Sequence, residues 1–178
     1  MNKIKTALIS VWDKTDVDVL AKKLNDIGIE IVSSGGTAKF LRDKGISVKD
    51  VSEITNFPEM LDGRVKTLHP KIHAGLLAIR GNKEHEASLK QESISTIDLV
   101  IVNFYPFESV IKKDGIKFQE VIENIDIGGP TIVRAAAKNF QDVTVITSPS
   151  DYSEIYNQIS DGELKVTKEA NYGLCKKA

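Results

Sequence analysis

The amino-acid sequence predicts an α/β fold, a three-layer sandwich in which a mainly parallel sheet is flanked by helices. Short β-branched or apolar runs bounded by polar turn residues indicate buried strands at four places. Helical spacing of apolar residues between these runs places strand, helix, strand, helix and strand within the first 51 residues. That order is typical of βαβ units, which form parallel sheets wrapped by helices.

The elements follow from periodicity and from the residues that end each run. The strands are predicted at residues 6–10, 29–33, 99–102 and 143–146, with 47–51 as a weaker fifth. Glycine in the usual C-terminal position ends the first two helices, and a proline at the first helical position opens a later one. The helices are predicted at residues 17–27, 38–44, 87–94, 118–124 and 132–139, the last of these opened by Gly129-Pro130, and again from Thr167 onward.

Residues 57–75 are predicted to form a long, mostly irregular loop. Pro58, Gly63, Pro70 and Gly75 interrupt any regular period in this segment. Compact domains usually keep loops of this length for function. We therefore expect part of a ligand site here.

Length and composition limit the classes of protein to which the chain can belong. We expect one domain over residues 1–166, followed by a helical pattern over 167–178. The 24 Lys and Arg residues balance 25 Asp and Glu, which argues against a nucleic acid or a membrane surface as partner. The longest aliphatic run has four residues and no signal peptide is evident, so a cytoplasmic protein is expected. The lone Cys175 excludes an intrachain disulfide and a cysteine-rich metal site.

Residues able to bind an anion follow the predicted strands, at the sheet edge where α/β proteins bind ligands. The segment S-S-G-G-T at residues 33–37 opens a helix, where glycines let the backbone approach and free N–H groups favour a phosphate. Taken alone, this segment is equally consistent with a tight turn. The fingerprints G-x-x-x-x-G-K-[ST] and G-x-G-x-x-G do not occur, which disfavours a nucleoside triphosphate or a dinucleotide.

Two further segments carry candidate chemistry. Arg64 and Lys66 fall on the same predicted edge and offer guanidinium and ammonium donors to a phosphomonoester. His69 and His73 have metal-ligand spacing, but a proline intervenes and no third ligand is evident, so no metal is expected.

Asp126 precedes a predicted helix that also carries Lys138. The helix dipole would keep the Asp126 carboxyl ionised. Taken alone, the two residues are better explained as an ordinary helix cap and a solvated lysine. Residues 135–137 are three alanines, a stretch suited to close approach by another backbone or a ligand.

Read together and in order, these segments resemble the inosine monophosphate cyclohydrolase domains that begin bifunctional purine biosynthesis proteins. The resemblance covers most of residues 6–140. The matching stretches are S-V-W-D-K-T, S-S-G-G-T-A, G-R-V-K-T-L-H-P-K-I-H-A-G-L-L, N-F-Y-P-F and I-D-I-G-G-P-T-I-V-R-A-A-A-K-N.

The resemblance implies a methylglyoxal-synthase-like fold and a defined reaction. The expected substrate is the formylated aminoimidazole carboxamide ribonucleotide, and ring closure with loss of water gives inosine monophosphate, without metal or organic cofactor. A folate-dependent formyltransferase domain would follow in the full family protein. Residues 167–178 would then be the helical start of a linker toward it, and the reading frame is expected to continue past Ala178. A homodimer is one expected assembly.

The resemblance also implies the site residues. Serine is common in such domains where this chain has Trp12, so Ser10 or backbone groups are expected to replace that hydroxyl at the phosphate. The catalytic set would be Lys66, Tyr105, Asp126 and Lys138, and the substrate and phosphate set Ser10, Lys14, Ser34, Gly36, Thr37, Arg64, Thr67, Asn103 and Gly128.

The residue types suit the implied chemistry. Amide nitrogen is a poor nucleophile, so Asp126 is expected to take its proton as the ring forms, with Lys138 positioning or assisting. Lys66 and Tyr105 are expected to donate to the formyl oxygen, which develops negative charge before it leaves as water.

Two alternatives remain from the sequence. A regulatory module of the same fold could bind a phosphometabolite without chemistry, but it would not need Tyr105, Asp126 and Lys138 together. Methylglyoxal synthase would act on a triose phosphate, a substrate too small to explain the N-F-Y-P segment.

Overall fold

The structure, a computed structural model, describes residues 2–112 and 115–178. The strands are β1 (Asn2–Lys3), β2 (Thr6–Val11), β3 (Glu30–Ser33), β4 (Lys49–Asp50), β5 (Leu99–Asn103), β6 (Thr144–Ile146), β7 (Ile159–Ser160) and β8 (Glu163–Val166). The helices are α1 (Val17–Asp26), α2 (Gly35–Asp43), α3 (Val51–Thr55), α4 (Pro70–Leu77), α5 (Lys83–Gln91), α6 (Phe107–Ile111), α7 (Phe118–Glu123), α8 (Gly128–Lys138), α9 (Tyr152–Tyr156) and α10 (Lys168–Lys177).

The main sheet has five parallel strands in the order β4-β3-β2-β5-β6. Ala7 on the central strand pairs with Ile31 on one side and with Leu99 on the other. The predicted parallel sheet is therefore confirmed, including the weak fifth strand. A small antiparallel sheet, β1-β8-β7, was not predicted from the sequence, and its strands β1 and β7 have two residues each.

Helices cover both faces of the main sheet, as the sandwich prediction requires. Successive side chains of a strand point to opposite faces, and accordingly Leu8 and Ile9 of β2 belong to different apolar clusters. Leu20 of α1 packs in the cluster of Ile9, whereas Ile72 of α4 and Ile132 of α8 pack in the cluster of Leu8. All five side chains are buried.

The prediction of an irregular segment at residues 57–75 is wrong in its last part, because α4 begins at Pro70. Proline suits the first helical position, where its missing N–H would have no partner anyway. His69 caps this helix through Nδ1, which accepts a hydrogen bond from the Lys71 N–H at 3.2 Å. Position 75 within α4 is a glycine because a Cβ there would come within 2.7 Å of the Ser95 carbonyl oxygen.

The helix that follows Thr167 is packed against the domain. Leu174 is buried in the main core, and Asn171 is buried with its Oδ1 2.6 Å from the Thr144 hydroxyl on β6. The residues predicted to start a linker thus belong to the folded unit. A following domain stays a prediction.

Candidate active site

A cavity of about 590 Å³ opens at the carboxyl ends of the central strands. The ends of β2 and β5, with the segments after them, form one wall, and residues 62–67 and 122–129 form the others. The predicted site residues that line it are Ser10, Arg64, Lys66, Thr67, Asn103, Tyr105, Asp126 and Gly128.

The N-terminus of α2 lies beside this cavity, and the Lys66 side chain is close to both. Ser34 precedes the helix in extended conformation and does not use its side chain to cap it. Gly35 has a φ of +53°, a conformation that favours glycine, and a Cβ there would come within 3.2 Å of Lys66 Nζ. Ser34 and Lys66 also line a smaller cavity of about 370 Å³. The ammonium group therefore lies between the helix N-terminus and the larger cavity.

Two predicted phosphate ligands use their side chains within the fold. The Thr37 hydroxyl is buried, donates to the Val11 carbonyl at 2.9 Å and accepts from its N–H at 3.2 Å. Lys14 Nζ lies 3.4 Å from the Trp12 carbonyl oxygen. A Cβ at Gly36 would meet nothing within 4 Å, so the backbone at this position is open. Backbone N–H groups at the start of α2 and the Ser34 hydroxyl are thus the donors that this loop could offer.

Both predicted cations of the 62–67 stretch already face carboxylates. Arg64 forms an ion pair with Glu123 of α7, in which Nη2 approaches Oε1 and Nε lies 3.3 Å from Oε2. The hydrogen bond from Arg64 is the main reason that the pKa of Glu123 is lowered. Lys66 Nζ lies 3.8 Å from Glu59 Oε1. An anionic group that binds either cation would compete with the carboxylate that the cation faces.

Asp126 lies at the start of α8, where two glycines give it room. Its Oδ1 accepts a hydrogen bond from the Gly129 N–H at 2.8 Å. A Cβ at Gly129 would come within 2.7 Å of Asp126 Oδ2, and a Cβ at Gly128 within 2.6 Å of Thr67 Oγ1. The D-I-G-G motif therefore holds a carboxylate at the cavity wall by hydrogen bonding and close packing.

Asn103 and Tyr105 shape the wall formed by the segments after β2 and β5. Asn103 Oδ1 accepts from the N–H groups of Trp12 and Asp13, both at 2.8 Å, and its Nδ2 donates to the Asp13 carbonyl at 3.0 Å. The Tyr105 ring meets the Trp12 indole edge-on, with centroids 4.8 Å apart. The amide predicted to line the base thus mainly holds the loop that presents Trp12.

The comparisons with known proteins agree with this architecture. A family model described as the MGS-like domain matches residues 16–131. The chain belongs to the MGS-like domain family. The structure titled "Crystal structure of ForH" is 31% identical and superposes with a TM-score of 0.87, over 97% of this chain and 88% of that one.

This MGS-like domain also matches curated proteins, as the motifs predict. It is 57% identical to the bifunctional purine biosynthesis protein PurH of Acetivibrio thermocellus over 94% of the chain, and 54% identical to that of Bacillus subtilis over 93%. The chain spans about a third of the length of these relatives, 32% and 33% respectively. The resemblance to this family and the predicted fold are confirmed.

One predicted catalytic residue lies away from the cavity of the MGS-like domain. Lys138 is the last residue of α8, exposed, and ten positions after Gly128. At 1.5 Å per residue the two backbones are about 15 Å apart along the helix axis. Its catalytic role stays a prediction from the resemblance.

Two histidines of the MGS-like domain lie at helix α4. His69 caps α4, and burial lowers the pKa of His73. Within residues 2–112 and 115–178, no three His, Cys, Asp or Glu side chains come together as a metal would require. Over the same described ranges, no helix is long and apolar enough to cross a membrane.

The sequence did not point to Glu59 or Glu123 as site residues. Glu123 lies 59 positions from Arg64, and no local motif signals that the two meet. Only the packing of α7 beside the 62–67 stretch shows it.

Proposed function

We propose that this MGS-like domain is an inosine monophosphate cyclohydrolase. It would close the pyrimidine ring of the formylated aminoimidazole carboxamide ribonucleotide. The observation that supports this most is the meeting of Lys66, Tyr105 and Asp126 at one cavity, in a chain more than half identical to PurH proteins. The three residues come from separate segments of the sequence.

The phosphate end of the substrate would lie between the 62–67 stretch and the N-terminus of α2. Arg64 supplies a planar guanidinium, and the first residues of α2 would supply backbone N–H groups at the positive end of a helix. Ser34 and Thr67 add hydroxyl groups at the edges of this region. These contacts are remote from the reacting atoms, so they act mainly on binding unless they select the cyclising conformer.

Asp126 would act as the general base. The carboxamide nitrogen bonds to the formyl carbon and loses one proton, for which the carboxylate is the acceptor. The Gly129 N–H fixes one carboxylate oxygen, which orients the group at the cavity wall. General-base help of this kind typically contributes about 10²- to 10⁴-fold in rate.

Lys66 and Tyr105 would stabilise the formyl oxygen. This oxygen becomes negative as the carbon–nitrogen bond forms. One positioned hydrogen-bond donor commonly lowers the activation free energy of such a step by about 3–4 kcal/mol. It then leaves as water, taking the second proton from the formamide nitrogen. The proposed step transfers protons and releases one water without a change of oxidation state. It therefore calls for no redox cofactor. Both reacting groups lie in one molecule, which the enzyme need only hold in the cyclising conformation.

An assay with two substrates separates this proposal from its alternatives. The protein is incubated with the formylated ribonucleotide or with a triose phosphate, and ring closure is followed by absorbance while methylglyoxal is measured chemically. Ring closure alone is expected. Methylglyoxal production would indicate a synthase, and binding of inosine monophosphate without turnover of either compound would indicate a regulatory module.

A further inference from the structure

Glu59 carries a carboxylate that faces the ammonium group of Lys66, and the proposed mechanism gives it no role. Its Oε1 lies 3.8 Å from Lys66 Nζ. Lys66 lines both the larger cavity and the smaller one, whereas Glu59 lines the smaller one. The carboxylate therefore approaches the ammonium group from the side of the smaller cavity and leaves the larger cavity to the reacting atoms.

A backbone bridge places the two residues opposite each other. Met60 and Val65 pair as in an antiparallel ladder, with hydrogen bonds of 3.0 and 3.3 Å between their N–H and carbonyl groups. By this register, Glu59 and Lys66 form the next pair outward from the bridge, a position at which side chains of opposite strands meet. The local backbone is thus sufficient to bring the carboxylate to the ammonium group.

The turn that this bridge closes has an uncommon backbone. Leu61 and Asp62 both have a φ of +55°, and Gly63 has a φ of +88°. Residues other than glycine rarely adopt this conformation, and it persists only where the surrounding structure imposes it. The position of Glu59 relative to Lys66 is therefore fixed by the backbone of this segment as well as by the attraction of the two charges.

Two glycines leave room for the pair. A Cβ at Gly63 would come within 2.5 Å of Glu59 Oε1 and within 3.5 Å of Lys66 Nζ. A Cβ at Gly35 would come within 3.2 Å of the same Nζ. The ammonium group thus has a glycine backbone on two sides and the Glu59 carboxylate on a third, which limits where it can lie.

We propose that Glu59 is a positioning residue that holds the Lys66 ammonium group at the larger cavity, where Lys66 donates to the formyl oxygen. This inference rests on the proposed function. An ammonium group has three N–H donors, so Lys66 can keep Glu59 as a partner while it donates to the substrate. The formyl oxygen becomes negative only as the ring forms, so the bound substrate places no anion there that would displace the carboxylate.

Glu59→Ala is expected to lower kcat about 5- to 20-fold, because a donor that is misplaced by about an ångström loses much of its effect on the transition state. KM and the Kd of inosine monophosphate should change less than about twofold, since neither depends on the transition state. Glu59→Asp keeps the charge on a shorter side chain and should recover part of the loss. Asp62→Asn is the matched control, because it removes a carboxylate from the same turn and asparagine tolerates a positive φ.

A double variant shows whether Glu59 acts through Lys66. Lys66→Ala lacks the ammonium group, so adding Glu59→Ala to it should lower the single-turnover rate no further. A further loss as large as the one that Glu59→Ala causes alone would overturn the inference, because Glu59 would then act independently of Lys66. A kcat of Glu59→Ala close to that of the unaltered protein would overturn it as well.

The pair can also be tested without substrate. An amine-acylating reagent modifies Lys66, and mass spectrometry of the peptide gives the rate. This rate is expected to rise at least about twofold in Glu59→Ala, where the amine loses a half-exposed partner, and to stay unchanged in Asp62→Asn. An unchanged rate in Glu59→Ala would overturn the inference whether or not the protein closes the ring. Failure of the unaltered protein to close the ring would instead refute the proposed function, even if the Lys66 rate rises as expected.

Discussion

Arg64 and Glu123 form an ion pair across the cavity, although 59 positions separate them in the sequence. Arg64 is the guanidinium that would bind the phosphate of the substrate. Glu123 therefore occupies a donor that the proposed phosphate contact would use, and the ion pair joins α7 to the 62–67 stretch.

Glu123→Gln is expected to tighten the binding of inorganic phosphate and of inosine monophosphate about two- to fivefold. Loss of the carboxylate charge frees Arg64 from a competitor, and the gain is modest because the pair is solvent-exposed. Calorimetric titration at fixed ionic strength measures it. Glu120→Gln removes the same charge from the same helix and should change nothing. Weaker binding in Glu123→Gln would mean that the carboxylate orients Arg64 instead.

Arg64→Ala is expected to act chiefly on affinity. A bidentate guanidinium–phosphate contact is lost, which should raise KM and the Kd of inosine monophosphate by about 10- to 100-fold. Turnover at saturating substrate should fall much less, because the phosphate is remote from the ring that closes. Steady-state kinetics gives both quantities. A fall in kcat at unchanged KM would contradict the phosphate assignment.

Asp126→Asn is expected to lower kcat by about 10²- to 10⁴-fold with little effect on product binding. The amide oxygen can still accept from the Gly129 N–H, so the start of α8 should be preserved. Asp62→Asn removes another carboxylate that lines the same cavity and should stay close to normal activity. Full activity in Asp126→Asn would exclude this residue as the general base.

Gly128→Ala is expected to destabilise the protein by about 1–3 kcal/mol, since the new Cβ would come within 2.6 Å of Thr67 Oγ1. Urea unfolding measures the change. Adding Thr67→Ala removes the atom in contact and should restore part of the loss. Gly173→Ala in α10 is the control, because a Cβ there meets nothing within 4 Å and helix interiors favour alanine. Equal stabilities for both single variants would show that the close contact at Gly128 relaxes freely.

The sheet was predictable because its strands are buried on both faces. Residues such as Leu8 and Ile9 face different helical layers, so the strands appear as continuous apolar runs. The helix that begins at Pro70 was missed because proline and Gly75 look like interruptions in a sequence. In the structure, one is the first helical residue and the other allows close packing on Ser95.

Site residues could be predicted where they lie at the ends of strands. They could not be predicted where they come together only through the packing of segments that are far apart in the sequence. Asn103 and Tyr105 directly follow the residues of a predicted strand, so the sheet edge brings them to the cavity. The partnership of Glu123 with Arg64 depends on how α7 is placed, which no local pattern contains.

The most direct test of the central claim compares ring closure by the unaltered protein and by Lys66→Ala, with inosine monophosphate affinity measured for both. We predict that the unaltered protein forms inosine monophosphate far faster than the uncatalysed reaction. Lys66→Ala should lose about 10²- to 10³-fold in kcat while its affinity for the product changes much less. Turnover near normal in Lys66→Ala would contradict the oxyanion role. No acceleration by the unaltered protein, despite binding of inosine monophosphate, would contradict the cyclohydrolase assignment altogether.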